Sequence, residues 1–262
     1  MTDSINAKAA KAGRIPLIDE VRGACVLAMV AYHAFFVLGS YFGVAWGAQA
    51  YEFFRPAQPA FAAMFILISG ICARLSRDVR KRGLLLAAVA GGITLVTVLL
   101  LPRLGFEDAQ VWFGVLHLLA ASMLLFGLGK KLFDKVPAMA GALVCLALFV
   151  AAAPVSRGYL GLSGFHVSLP AGLYQNNALA FLGFYNSETF YSWDYFPLLP
   201  YVFVFLFGTF LGKASPPAFS RKQRSRFFGF LGRRALPVYL LHMPLFYGAA
   251  YLARALFRIG KS

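Results

Sequence analysis

Apolar positions along this chain gather into long unbroken runs separated by short basic stretches, with no sustained two-residue alternation of the kind strands show. A helix that crosses a bilayer needs about 20 consecutive, predominantly apolar residues. Runs of that length predict spans at 16–42, 57–75, 83–101, 110–128, 137–154, 195–212 and 235–253. The expected fold is therefore all-α: a polytopic membrane helix bundle of about seven transmembrane helices, one domain over 16–262 after a polar tail over 1–15. The first run, Arg14 to Tyr41, carries a charged cluster (Arg14, Asp19, Glu20, Arg22), turns apolar at Gly23 and is interrupted at Tyr32-His33. On an ideal helix, Arg22 and His33 fall within roughly 20° of one face and ~16 Å apart along the axis. One charged and one titratable group thus share a stripe, which a plain anchor does not need.

Composition agrees with the pattern. Of the 262 residues, 60% are hydrophobic and 13% charged, and mean hydropathy is +0.70; soluble domains sit nearer 45–50% and about 25%. The formal net charge is +15. In a soluble protein that would raise nucleic acid, but here the basic residues lie between apolar spans, and topology accounts for them first. With the N-terminus inside, four segments on one side hold 19 of the 25 Lys and Arg: Lys8–Arg22, Arg74–Arg82, Lys130–Lys135 and Lys213–Arg234. That asymmetry predicts a cytoplasmic N-terminus; the expected location is a bacterial inner (plasma) membrane. Arg55, Arg103, Arg157, Arg254, Arg258 and Lys261 fall on the opposite side. The start, MTDSINAKAAKAG, lacks the pattern of a cleaved signal peptide. Cys25, Cys72 and Cys145 all sit in apolar runs and imply neither disulfide nor metal.

The stretch 155–194 is long for a loop in a compact bundle and rich in aromatics. Were its apolar piece, Leu173 to Tyr185, to cross the membrane, the charge asymmetry would collapse. It is expected to be an outer re-entrant or interfacial segment.

Ionisable groups at membrane depth are costly and mark function by default. Counted by expected depth, His33, Gln58, His117 and Asp194 form an outer layer, and Asp19, Arg22, Arg74 and His242 a cytoplasmic one. Each also has a plainer reading: a histidine in a bundle is often an interhelical hydrogen-bonding group, and Asp19 with Arg22 is an i,i+3 pair that would hold a helix end. No H-E-x-x-H, phosphate-binding glycine loop or G-x-S-x-G elbow occurs.

Five ordered segments carry a resemblance. Asp19-Glu20-Val21-Arg22-Gly23 followed by His33 resembles the first-helix signature of the transmembrane acyltransferase superfamily. Phe61–Gly70, Phe113–Leu119, Ser192–Pro200 and Leu231–His242 are similar, in order, to the heparan-α-glucosaminide N-acetyltransferase catalytic-domain family, and together the segments cover most of the chain. The resemblance implies transfer of an acyl group, typically acetyl, from cytoplasmic acyl-CoA to a sugar or amino-sugar acceptor on the far side. It implies that Arg22, with Asp19, His242 and Arg74, meets the CoA, and that His33 is the general base or, as the alternative, a nucleophile that carries the acyl group, with His117 and Asp194 orienting it or stabilising the oxyanion. Gln58, Tyr174 and Asn176 are the acceptor candidates, and no metal is implied. The sequence departs from the lysosomal members, whose histidine follows the first helix: none occurs between Gly39 and Arg55. Two other classes compete: a transporter or proton-coupled permease, and a non-catalytic subunit of an envelope-polysaccharide complex. Beyond acyl-CoA, acceptor and bilayer, the partner left open is a second copy of the chain; no nucleic acid is expected.

Overall fold

The computed structural model describes residues 15–104, 109–162, 164–214 and 218–257. Lys8, Lys11, Arg14, Arg258 and Lys261, and most of the 1–15 tail, lie outside the described residues. The described chain forms α1 (Pro16–Phe42), α2 (Ala45–Phe54), α3 (Gln58–Arg74), α4 (Val79–Leu95), α5 (Val115–Lys135), α6 (Ala138–Ala152), strands β1 (Tyr159–Leu162) and β2 (Phe165–Ser168), α7 (Leu198–Leu211), α8 (Arg226–Arg233) and α9 (Ala235–Phe257). Five helical stretches are long and apolar enough to cross a membrane, and the apolar helices Leu198–Leu211 and Ala235–Ala249 are shorter. The protein is a multi-pass membrane helix bundle.

The chain divides into two compact units: Met1–Phe65 with Pro216–Ser262, and Ile66–Ser215. In the first, α1 is the axis, with α2, α8 and α9 packed on it. Pro16 starts α1, where a missing N–H costs nothing, and Gly43 ends it in the left-handed region at φ 63°. The chain then doubles back as α2, with Gly39 against the Ala48 backbone. At the other end, α8 crosses α1 at two glycines. A Cβ on Gly23 would run into the Phe228 carbonyl, and one on Gly232 into the Asp19 carbonyl. Buried Glu20 completes the contact, its Oε1 accepting the Arg224 and Ser225 N–H groups at 2.7 and 3.0 Å.

The second unit packs α4 on α5, α5 on α7 and α6 on α7, around Phe126, Phe205, Ile66 and Leu118. The C-terminal part of α3 meets α7 through Gly70 and Gly208, where a Cβ would strike the Phe205 and Leu67 carbonyls. The last carbonyls of α5 have no helical partner; Lys213 Nζ donates to those of Phe133 (2.9 Å) and Asp134 (3.2 Å), and to Val136. The ammonium thus also meets the negative end of the helix dipole.

Four boundaries differ from the sequence expectation. The predicted span at 110–128 is a helix at Val115–Lys135, which places Lys130, Lys131 and Lys135 on its final turns, not in a loop. The span at 195–212 begins at Leu198, so Asp194 precedes the helix. Helix α2, which runs through a 3-10 turn at Arg55–Ala57 into α3 as the stretch Ala45–Arg74, and the eight-residue α8 were not expected. Finally, 155–194 contains an antiparallel hairpin, and 173–185 holds the end of one 3-10 turn, Ala171–Tyr174, and all of another, Ala180–Leu182. Glycines and asparagines in that segment favour turns over a continuous helix.

Gly232→Ala places a methyl group on backbone that cannot rotate away, and overpacking of this kind costs about 1–3 kcal/mol. We expect a clear fall in the unfolding temperature of the detergent-solubilised protein. Gly91→Ala, with nothing within 4 Å of its Cβ, is expected to leave it unchanged or raised.

Candidate functional site

On α1, Asp19 and Arg22 pair through Oδ1 and Nη2, both side chains mostly buried. The pair leaves Arg22 Nε buried without a hydrogen bond among the described residues. A buried donor without an acceptor is unusual enough to ask what fills it. It suits an anionic oxygen approaching beside Asp19, as a phosphate does with arginine.

Three turns further along α1, His33 Nδ1 lies 2.9 Å from His242 Nε2 on α9. The ring centroids are 5.0 Å apart and the planes 15° from parallel. A separation so much larger than the N···N distance means the rings meet edge to edge, nearly coplanar, as an in-plane hydrogen bond requires. His242 Nδ1 is 2.6 Å from the Tyr239 carbonyl oxygen. That oxygen only accepts, so Nδ1 carries the proton and Nε2 of neutral His242 offers a lone pair. His33 must then donate through Nδ1–H, and its Nε2 carries a lone pair with no hydrogen-bond partner among the described residues. One carbonyl therefore sets two tautomers and leaves a base. Tyr32 stacks on Tyr51 of α2, centroids 4.7 Å apart, beside this pair in sequence. Gln58, half-buried, opens α3.

This meeting corrects the expected layering, which put His33 deep and His242 near the cytoplasmic face. Depth was counted from the start of each apolar run, but the runs do not start level. Gly23 touches Gly232 of α8, α9 starts three residues later at Ala235, and His33 and His242 meet at 2.9 Å. The hydrogen bond puts the two at one height.

His117 and Asp194 belong to the second unit. Gly114 holds the N-cap position of α5 with no side chain to offer. Asp194 Oδ2 takes the Val115 N–H at 3.1 Å in its place, and His117 Nδ1 accepts the Gly114 N–H at 3.2 Å, the reciprocal half of a capping box. A Cβ at position 114 would lie 2.7 Å from Asp194 Oδ2, so glycine is required there. Asp194 itself sits at φ 52°, where aspartate is tolerated better than most residues. His117 Nε2 is 3.0 Å from Thr94 Oγ1, which donates its one proton to the Val111 carbonyl at 2.9 Å. His117 is thus the Nε2–H tautomer, with no lone pair left over. Thr97, in a π-helical turn at Val96–Leu100, accepts the Val111 N–H at 3.1 Å, and Ser192 accepts the Trp112 N–H at 3.0 Å.

Elsewhere in that unit, Arg74 pairs with Asp134 and lies over the Phe126 ring, 5.8 Å from its centroid. Tyr174 donates its hydroxyl to the Val155 carbonyl, and burial pushes its phenol pKa up. Asn176 Oδ1 accepts the Ala178 N–H at 3.0 Å in a local Asx turn. Thr94, Thr97, Ser192, Asp134 and the capping role of Glu20 were not anticipated. The signal for the first two was the Thr94-x-x-Thr97 spacing inside an apolar run.

Compared with known families, residues 14–244 match the sequence model of heparan-alpha-glucosaminide N-acetyltransferase, catalytic. The chain belongs to that family. The match runs through both units and includes Arg22, His33, His117, Asp194 and His242. At the family level it is a membrane acetyltransferase, a family that uses acetyl-CoA as donor. No curated protein and no solved structure matches it.

Capping by a residue distant in sequence predicts that Asp194→Ala costs about 0.5–2 kcal/mol, the range for a lost N-cap. Hydrogen exchange reads the site directly: the Val115 amide should exchange faster in Asp194→Ala, and the amides of α8 at their native rate.

Proposed function

We propose that this protein transfers an acetyl group from acetyl-CoA to an amine or hydroxyl of a sugar-type acceptor, with His33 Nε2 as general base. One observation carries the assignment. Of the three histidines in the apolar helices, His117 and His242 have both ring nitrogens engaged within the protein, and His33 keeps a lone pair unshared among the described residues.

Acetyl-CoA supplies an activated thioester carbonyl. The acceptor's proton is held at His33 Nε2 as its nitrogen or oxygen bonds to the acyl carbon and the C–S bond breaks; the departing sulfur is where that proton goes. While protonated, His33 still donates through Nδ1–H to His242, so the hydrogen bond that aims the base also stabilises its cation. His242 therefore acts through His33, as a positioning residue. Arg22 is the residue we assign to a phosphate of the donor, held by Asp19 in the correct orientation. The bonds already made by His117, Asp194, Arg74, Tyr174 and Asn176 support positioning roles for them: capping α5, pairing with Asp134, and shaping the 155–194 segment. The charge distribution supports a cytoplasmic N-terminus, hence a donor arriving from the cytoplasm and an acceptor on the other side.

Purified protein is expected to bind acetyl-CoA and form acetylated product with a glucosamine-type acceptor. His33→Ala should lower transfer by about 10²–10⁴-fold, the usual worth of a general base, with donor affinity unchanged. Arg22→Ala should weaken donor binding by roughly tenfold or more, as losing a hydrogen bond to a charged group does. His242→Leu should lower kcat and leave donor binding intact, and His242→Gln, which still offers an acceptor oxygen, should retain more activity than His242→Leu. Full transfer by His33→Ala, measured by mass spectrometry of the product, would refute the mechanism. A chain that moves solute and never acetylates would return the transporter reading.

A further inference from the structure

The hairpin between α6 and α7 is not used by the chemistry above. Its register pairs Tyr159 with Ser168, Leu160 with Val167, Gly161 with His166 and Leu162 with Phe165. Directly opposed residues share a face and successive residues alternate. Leu160, Val167, Leu162 and Phe165 therefore form one wholly apolar face, and Tyr159, Ser168, Gly161 and His166 the other. The Tyr159 and His166 rings touch across the second face, 5.3 Å between centroids, which confirms the assignment. Three of the four residues of the apolar face are uncovered: Phe165 is 91% exposed, Val167 69% and Leu162 60%, and Leu160 is half-buried. Exposed contiguous apolar surface of this kind marks an interaction site.

The occupant is argued from where the hairpin grows. It packs against α6 and begins seven residues after that helix ends at Ala152. Leu143, Val144, Leu146, Leu148 and Val150 of α6 are all exposed, as expected of a helix whose outer surface meets acyl chains. Residues 158–171 contain no Lys, Arg, Asp or Glu, and the one charged residue between α6 and the hairpin is the exposed Arg157, whose long side chain suits the headgroup level. A backbone that entered the hydrocarbon would need every N–H and C=O paired, and the outer edges of a two-stranded hairpin are not. The hairpin therefore belongs at the level of the headgroups.

We propose that this hairpin is an interfacial membrane anchor: it lies along the bilayer surface with Leu160, Leu162, Phe165 and Val167 in the acyl boundary and Tyr159, His166 and Ser168 toward water. The partner is the lipid itself, and the device holds the long 155–194 segment against the membrane. It does not rest on the acetyltransferase mechanism.

The test uses full-length protein in phosphatidylcholine vesicles carrying single added cysteines, in a background with Cys25, Cys72 and Cys145 replaced by alanine. The variants are Leu162→Cys, Phe165→Cys, Val167→Cys, His166→Cys and Ser168→Cys, each labelled with a fluorophore. Quenching by nitroxide lipids labelled near the headgroup should be at least twofold stronger at 162, 165 and 167 than at 166 and 168, and quenching by aqueous iodide should run the opposite way. Equal iodide access at all five positions would overturn the proposal. So would protection of 162, 165 and 167 from both quenchers, which would mean that protein, such as a second copy, covers the face. The mutated side chains are surface residues of the hairpin; a variant that loses its native gel-filtration profile is replaced by the same label introduced at Leu160, and the same reading applies.

Discussion

The hydrogen bond between His33 and His242 exists only if two helices far apart in sequence rise to the same height in register, and the first unit is built to make them do so. Glycines at 23 and 232 let α1 and α8 touch backbone to backbone. Glu20 then fixes the chain leading into α8 by accepting two of its amide protons. With that contact fixed, α9 starts three residues past Gly232 and packs along α1 to where the imidazoles meet. A side chain at either glycine would push α8 outward and shift the start of α9. The proposed base thus depends on a packing contact about 15 Å away, and on a carboxylate that touches neither ring.

The two units satisfy polar groups inside an apolar surround differently. In the second, Thr94, Thr97, His117, Asp194 and Ser192 form a closed network at the start of α5: all five bond the 110–115 backbone or each other, and the Thr97 and Ser192 hydroxyls donate to the Ile93 and Trp193 carbonyls, while Ser122 Oγ, deeper in α5, is buried with no partner among the described residues. A closed network rigidifies, and here it joins the start of α5 to the segment before α7. In the first, the chain Tyr239 carbonyl, His242, His33 ends on a lone pair unused among the described residues. Arg22 likewise ends on an N–H with no partner among them. Open ends inside a membrane protein are expensive, and they are where a ligand would be received.

What the sequence revealed follows from how local each signal is. Bilayer-length apolar runs are a property of contiguous residues, so the spans, and the Arg22–His33 stripe within one helix, were legible. The pairing of Asp19 with Arg22 was legible for the same reason. What could not be read was anything set by packing between distant segments. His242 was placed at the wrong depth because nothing local shows that α8 lies against residues 19–23. Asp194 and His117 were grouped as acidic and basic chemistry, and their role in capping a glycine-started helix depends on a strand-like bridge between Gly114 and Tyr195. Arg74 was assigned to the donor because Asp134, sixty residues on, gives no sign in sequence of being its partner. The aromatic loop was read as a re-entrant or interfacial segment, since hydrophobicity alone does not distinguish a re-entrant piece from turns and a short hairpin.

One signal near the site was present and unused. Pro244 lies inside α9, two residues past His242. A proline there has no N–H for the Leu240 carbonyl, and its ring crowds that carbonyl off the helix axis. The turn in which this happens is the turn whose neighbouring carbonyl, Tyr239, accepts the His242 Nδ1 proton. In an intact ladder a side chain competes poorly for a carbonyl already engaged by the backbone; where the ladder is interrupted, carbonyls tilt outward and side-chain donors reach them. The Tyr239 carbonyl keeps Met243 as its ladder residue, so His242 Nδ1 approaches a carbonyl one residue before the one the proline releases. That shared carbonyl fixes one tautomer, and through the next hydrogen bond it decides which nitrogen of His33 is left basic. A transmembrane histidine two residues before a proline is a different object from a histidine in an unbroken helix, and that difference is written in the sequence.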